Sequence, residues 1–425
     1  MMKLNAWSRA CLVFLLWAGT AIASHTQTFT KFVSFDRADG LSPRSSAASH
    51  FKVLHAFTWA QSPQQGNLLL DAAGNVYGTT LTGGASGNGV VFKLAPHDDG
   101  TWTESTLYCF KGYPDGSGPV GPLILDAAGN LYGTTQWGGT SAYWGVVFKL
   151  TPTTNGAWKE SVLFSFDWAN GAQPRGGVIF DAAGNLYGTT EEGGPNGGLG
   201  TIFELTPNTD GTWKESVLHS FTGADGAGPY NALTFDKTGN LYGTAWYGGA
   251  YGNGAVFKLA INSDGSTTES TLYNFQGGGD GRGPFGVVFD AAGNLYGMTQ
   301  SGGIGCPYVG CGVVFKLTPN PDGTWTESVL HMFTGGSDGS SPYAGVISDA
   351  TGNLYGTTYT GGCAGNGVVF RLTPTSNGWH ETVLHCFSGY GAFPWAGLTM
   401  DGAGSLYGTT SSGRNNSGLV FEIAP

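Results

Sequence analysis

Glu191 and Glu192 stand side by side in a chain in which charged residues are only 11% of the total. With Asp225 or Asp280 as a second acid, such carboxylates are the groups that glycosidic cleavage places on opposite sides of the scissile bond. Arg175 and Arg282, each beside a Pro or Gly turn, offer the planar fork that pairs with a carboxylate such as that of a uronate. Around them lie large rings: Trp137, Tyr143 and Trp144, then Trp246, Tyr247 and Tyr251, and then Tyr359. Such rings stack on sugar faces while polar edges meet hydroxyl groups. Neither a motif nor a fixed spacing selects a nucleophile or a general acid, so ligand binding is the first reading and lyase or hydrolase chemistry the second. Against both stand plainer interpretations: rings that fill gaps between loops, and a solvated glutamate pair.

These residues occupy matched places in a tandem pattern. Asp71, Asp126, Asp181, Asp236, Asp290, Asp349 and Asp401 each open an Asp-x-x-Gly element followed by Asn or Ser, an apolar residue, Tyr and Gly, at spacings of 55, 55, 55, 54, 59 and 52 residues. A period of that length signals a propeller or solenoid. Around Asp236, the run up to Phe235, Leu241 to Thr244, Ala255 to Leu259 and Glu269 to Phe275 read as four strands, by their alternation and the turn residues between them. Complete fourth strands end at Phe110, Phe166, Phe221, Phe275, Phe333 and Phe387, one fewer than the aspartate turns. The missing one is Phe51 to Phe57, which matches Glu381 to Phe387, while the last copy stops after Leu419 to Ile423. The expected fold is all-β: a seven-bladed β-propeller of four-stranded antiparallel blades over residues 50–425, closed by the N-terminal strand completing the last blade. An open β-solenoid is the alternative.

In this fold the second-to-third and fourth-to-first connections open on one face, and the seven aspartates turn the chain on the other. Those aspartates read as turn residues and the following tyrosines as core. The informative positions vary while their neighbours stay fixed. The two residues before Gly-Gly are Leu81-Thr82, Gln136-Trp137, Glu191-Glu192, Trp246-Tyr247, Gln300-Ser301 and Tyr359-Thr360, with Ser411-Ser412 before Gly413-Arg414 in the seventh copy. A second ring, Asp115, Asp225, Asp280 and Asp338, heads Asp-Gly-x-x-Pro, with Asn170 and Tyr390 at corresponding points. Asp-Gly is a strong turn signal; an acidic mouth for Ca²⁺ is the alternative, although no Asp-x-Asp-x-Asp loop supports it. No other cofactor or metal is expected. His55, His219, His331 and His385 share one fourth-strand place and read as outer-sheet residues, not a zinc cluster.

Lys3 and Arg9 precede the apolar run Ala10 to Ala18, and Ala21-Ile22-Ala23 supplies small residues for a peptidase, so residues 1–23 read as a signal peptide and 24–49 as a flexible lead-in. The run is too short to span a membrane. A formal charge of −11 argues against nucleic acid or an anionic membrane surface as partner. The expectation is a secreted monomer, extracellular or periplasmic, that binds a glycan, cell-surface polymer or extracellular protein without catalysis. The alternatives are a carbohydrate-active enzyme and a purely structural interaction module. Export permits disulfides: Cys306 with Cys311 is the preferred pair, Cys363 is a rival partner, Cys109 and Cys386 are too far apart to join, and at least one thiol stays free.

The runs Gly83-Gly-Ala-Ser-Gly-Asn-Gly-Val-Val-Phe-Lys-Leu, Gly248-Gly-Ala-Tyr-Gly-Asn-Gly-Ala-Val-Phe-Lys-Leu and Gly361-Gly-Cys-Ala-Gly-Asn-Gly-Val-Val-Phe-Arg-Leu resemble the GloVer tandem repeat of secreted bacterial proteins, over residues 51–425. The resemblance implies export and, often, a terminal sorting or anchoring segment; no shared enzymatic activity is established for that family. This sequence departs from it by ending on a strand.

Overall fold

The computed structural model describes residues 50–57, 61–63, 66–140, 143–262, 264–304, 306, 310–389, 391–413 and 417–425. The expected signal peptide and lead-in, together with Tyr390 and Arg414, lie outside them. Among the described residues there is no helix, and so none long and apolar enough to cross a membrane.

The repeat folds as seven four-stranded antiparallel sheets. In blade 1 the strands are Leu69–Leu70, Val76–Thr80, Val90–Pro96 and Trp102–Cys109. Blades 2 to 6 repeat this order. Blade 7 takes Thr399–Met400, Leu406–Thr410 and Leu419–Ala424 from the end of the chain and His50–Ala56 from its beginning, with Phe51 paired to Ile423 and Ala56 to Leu419. Head and tail therefore share one sheet, as the strand count requires.

Each repeated residue has a physical task. The turn aspartate accepts two backbone amides through Oδ1, and in all seven blades its Oδ2 accepts the hydroxyl of the tyrosine six residues on, at 3.0–3.4 Å. The tyrosine is thus tied at its tip as well as packed at its ring. The glycine after it makes room for the third-strand phenylalanine of the same blade, since a Cβ at Gly243 falls 2.6 Å from Phe257 Cζ. Between blades, the phenylalanine that follows each fourth strand meets the third-strand phenylalanine of the next blade edge to face, as in Phe110–Phe148 at 5.0 Å and Phe221–Phe257 at 5.2 Å. The closing seam is built the same way, by Phe57 on Phe92 at 5.1 Å.

First strands line the axis, where glycines let neighbouring backbones nearly touch: a Cβ on Gly121 falls 2.6 Å from Gly177 N and one on Gly176 2.5 Å from Asn231 O. Above them the fourth-to-first connections bridge the far end of the second strand, as in Ala172 to Glu192, Ala227 to Tyr247 and Ser340 to Thr360. They also donate a backbone bond to the preceding blade's second-to-third loop, as in Gln173 N–H to Trp144 O and Ser341 N–H to Cys311 O, both 2.8 Å. These two bonds hold the loop face as one surface.

Both bridges in the structure are local to blades. Cys306 pairs with Cys311, and Cys363 pairs with Cys386 of the adjacent fourth strand, leaving Cys109 free. The second bridge goes beyond the sequence reading, which set Cys363 against Cys306 and Cys311 and looked for a Cys386 partner only in Cys109. The loop after Gly361-Gly362 folds back onto its own outer strand.

Candidate functional site

The variable pairs contribute one residue inward and one outward. The inward set is Gln136, Glu191, Trp246, Gln300 and Tyr359. Each meets the residue that follows the fixed proline of the next blade. Gln136 lies 3.1 Å from Arg175 Nε. Glu191 Oε1 accepts the Tyr230 hydroxyl at 2.6 Å, and Gln300 donates to the Tyr343 hydroxyl at 2.6 Å. Trp246 packs against Phe285, and Tyr359 against Trp395. At five successive blade junctions, from blade 2 to blade 7, the two sets of positions therefore mesh around the axis. The post-proline ring, Tyr230, Phe285, Tyr343 and Trp395, was not singled out in the sequence. Its signal was there: a residue type that varies between blades, with Tyr recurring only at 230 and 343, directly after an unchanging Pro.

One sector of this mouth is aromatic. From blade 4 to blade 7 the rings of Trp246, Tyr230, Phe285, Tyr343, Trp395, Tyr359 and Phe393 follow one another at centroid distances of 4.9–6.4 Å. The interpretation that rings fill gaps holds for part of this arc, since Phe285 is 3% exposed. The indole N–H groups of Trp246 and Trp395 are buried without a partner among the described residues.

The other sector is polar. Glu191 Oε2 sits 2.5 Å from Arg175 Nε, an ion pair by distance although the N–H is not aligned on that oxygen. The Arg175 guanidinium also lies over the Tyr230 ring, 5.1 Å from its centroid. Burial raises the Glu191 pKa; Arg175 and the Tyr230 hydroxyl oppose this, and Glu192 adds to it. Burial and the bond to Glu191 push the Tyr230 hydroxyl up in turn. Beside this pair, Gln173 donates to Glu192 Oε2 at 3.0 Å. One terminal atom of the Gln136 carboxamide is 2.9 Å from Gln173 Oε1 and also faces Arg175; as nitrogen it donates to Gln173, and as oxygen it accepts from the guanidinium. Below the mouth a cavity of about 230 Å³ follows the axis, lined by Arg175, Tyr230, Asn231, Phe285 and Tyr343 at its rim and wall.

The structure distributes the other candidates as follows. Trp137, Tyr143, Tyr247 and Tyr251 are exposed on the loop face, at 67% for Tyr143 and 59% for Tyr251, while Trp144 is half-buried. Arg282 is exposed beside Tyr247. Asp225 and Asp280 are held in their own connections instead of facing Glu191: Asp225 accepts from Thr222 N and Thr222 Oγ1, and Asp280 from Gln276 N and the Tyr273 hydroxyl. Asp115 and Asp338 cap Lys111 N and Thr334 N likewise, so all four carboxylates proposed for Ca²⁺ also serve as turn acceptors. His219 Nε2 lies 2.9 Å from Asp225 Oδ2, and with Glu269 of blade 4 these three groups approach within 4.8 Å of one another. In blade 1 a tyrosine takes the same role, Tyr108 donating to Asp115 at 2.6 Å, so the arrangement belongs to the blade seam. At these seams burial, and then the neighbouring aspartate, push Glu160, Glu215, Glu269, Glu327 and Glu381 up to about 7.

With this geometry in hand, sequence comparison is decisive for kinship. The profile of the Gloeobacter/Verrucomicrobia repeat matches residues 45–234 and again 197–421. The chain belongs to the GloVer repeat family. No match to this GloVer chain is found among the curated proteins. Solved structures similar to it include the extracellular domain of a protein named as a hybrid two-component system of B. thetaiotaomicron, at 12% identity and a TM-score of 0.53 over 89% of this chain and 41% of that one. An ancestral GH74 enzyme is similar at 12% identity and a TM-score of 0.57, over 86% and 48%. A protein of Bacteroides fragilis named as a 6-phosphogluconolactonase is similar at 13% identity and a TM-score of 0.52, over 85% and 100%. The GloVer chain thus spans about two-fifths of the sensor-system chain, and at these identities the likeness is one of fold alone.

Proposed function

We propose that this GloVer propeller acts outside the cytoplasm as a non-catalytic receptor for a neutral glycan, held at the axial mouth. One observation carries the reading: Arg175 and Tyr230, both held against Glu191, line the axial cavity and are continued by an arc of rings. Sugars are bound by such pairings of flat apolar faces with fixed donors and acceptors. A neutral ligand fits better than a uronate, because Glu191 already matches the Arg175 charge. Two disulfides accord with an oxidising compartment.

The test is a screen of the purified protein against neutral and acidic glycans, repeated with Tyr230→Phe and Arg175→Gln. Binding of neutral glycans, lost in both variants without loss of fold, is the expected result. No binding across the screen, or binding indifferent to both substitutions, overturns it. The enzymatic alternative draws on the raised pKa of Glu191, a feature of general acids; release of reducing ends from a bound polysaccharide, abolished by Glu191→Gln, is its signature.

A further inference from the structure

The polar sector of the mouth does not end at Glu192. Gln173, which bonds Glu192 through its side chain, bonds Trp144 O through its backbone. The Trp144 ring lies 5.0 Å from that of Trp168 and 6.2 Å from that of Tyr143. Trp168 is 40% exposed, and its carbonyl accepts Gly194 N–H, two residues beyond Glu192, at 2.7 Å. A continuous file thus leads from Tyr230 and Arg175 through Glu191, Gln173 and Glu192 to three rings on the outer part of the same face. Polar groups at the inner end give way to the exposed rings of Tyr143 and Trp168 at the outer end, with the half-buried Trp144 between them tilted 56° against Trp168.

The backbone of blade 3 carries strain at two points of this file. Trp168 has φ of 72° and Gln173 φ of 56°, in a region that favours glycine. At the place of Gln173, just before the fixed proline, blades 2, 4 and 5 use Gly118, Gly228 and Gly283 with φ of 61–65°, while blades 6 and 7 hold Ser341 and Phe393 at 54° and 61°. A glutamine in that conformation is strained, and its side chain is the one that links the mouth to the tryptophans.

Building on the axial-mouth reading, we propose that the glycan is an extended chain: one segment occupies the mouth and the next runs outward along the blade 2–blade 3 seam, its sugar faces stacked on Trp144 and Trp168. The chemistry selects a chain of equatorially linked pyranoses, whose flat faces of axial C–H groups suit successive rings. Arg175 and Tyr230 set the inner subsite, and the two tryptophans set the affinity for length.

The experiment uses β-1,4-linked gluco-oligosaccharides of two to eight units, titrated calorimetrically against the whole protein and against Trp168→Ala, Trp168→Phe and Tyr230→Phe. Affinity is expected to rise with length in the wild type. Trp168→Ala flattens that rise, with about a tenfold loss for the longest probe and none for the shortest, and Trp168→Phe restores most of it. Trp144 also packs against the blade core, so Trp168 is the decisive position. Length-dependent binding untouched by Trp168→Ala but lost in Tyr230→Phe overturns the outward path and leaves the mouth reading standing. Binding that does not rise with length also overturns the path. No binding of any probe, together with a negative glycan screen, overturns both.

Discussion

The glutamates at the blade seams make stability depend on pH in a direction opposite to that of ordinary paired carboxylates. Glu160, Glu215, Glu269, Glu327 and Glu381 titrate at about 7 in the fold against 4.5 unfolded, because each is half-buried beside an aspartate of the neighbouring blade. Between those values the native state holds protons that the unfolded chain has released, so stability falls as pH rises from 4.5 through 7. At 1.36 kcal/mol per unit the full shift is about 3 kcal/mol per group. Partial exposure screens this to about 1 kcal/mol each, or on the order of 5 kcal/mol for the ring. With an unfolding entropy of roughly 0.8 kcal/mol/K for a domain of about 375 residues, the Tm should rise by about 6 °C between pH 8 and pH 5. His55 and His331, held below 6.5 by burial, oppose part of the rise below that pH. Asp236 and Asp349, at about 2, lose their hydrogen-bonded support only in stronger acid. Scanning calorimetry at constant ionic strength, on the wild type and on a variant with all five glutamates changed to glutamine, reads the effect directly. A Tm that is flat or falls towards pH 5, or a glutamine variant that keeps the wild-type slope, refutes the reasoning.

Other expectations can be checked singly. Gly243→Ala sets a methyl 2.6 Å from Phe257 Cζ and should destabilise by about 1–3 kcal/mol, seen as a lowered denaturation midpoint. Phe57→Ala opens the closing seam at Phe92 and should cost about 3–5 kcal/mol in the same assay. Ala85 occupies in blade 1 the place of Cys363 in blade 6, and the free Cys109 that of Cys386. Ala85→Cys should therefore form a new bridge, seen as loss of the free thiol in mass spectrometry and a gain of about 3 kcal/mol. Gln173→Gly relieves a left-handed glutamine and should leave stability unchanged or higher by about 1 kcal/mol, while glycan binding weakens.

The architecture was readable because one pattern recurs seven times, and each recurring residue does one job in every blade. Asp236, Tyr242 and Gly243 act within their own blade, over separations that a repeat displays. The site was readable only by halves. Glu191, Trp246 and Tyr359 stood out as differences before Gly-Gly, whereas Tyr230, Phe285, Tyr343 and Trp395 were hidden behind prolines that read as turns. Their partners lie one blade back, some forty residues away in Gln300–Tyr343, and such a distance leaves no local trace. Asp225 and Asp280 misled for the opposite reason: their turn chemistry satisfies them within four residues, so their charge never reaches the mouth.

The strand His50–Ala56 lies against Leu419–Ala424, which gives synthesis an order of events. The first part of the propeller to leave the ribosome is the last to find its place, so the circle stays open until the whole chain is made. A copy shortened before Leu419 would leave Leu406–Thr410 as a bare sheet edge and His50–Ala56 without its strand partner. Two such copies could lend each other strands, turning a clasp within one molecule into a link between two.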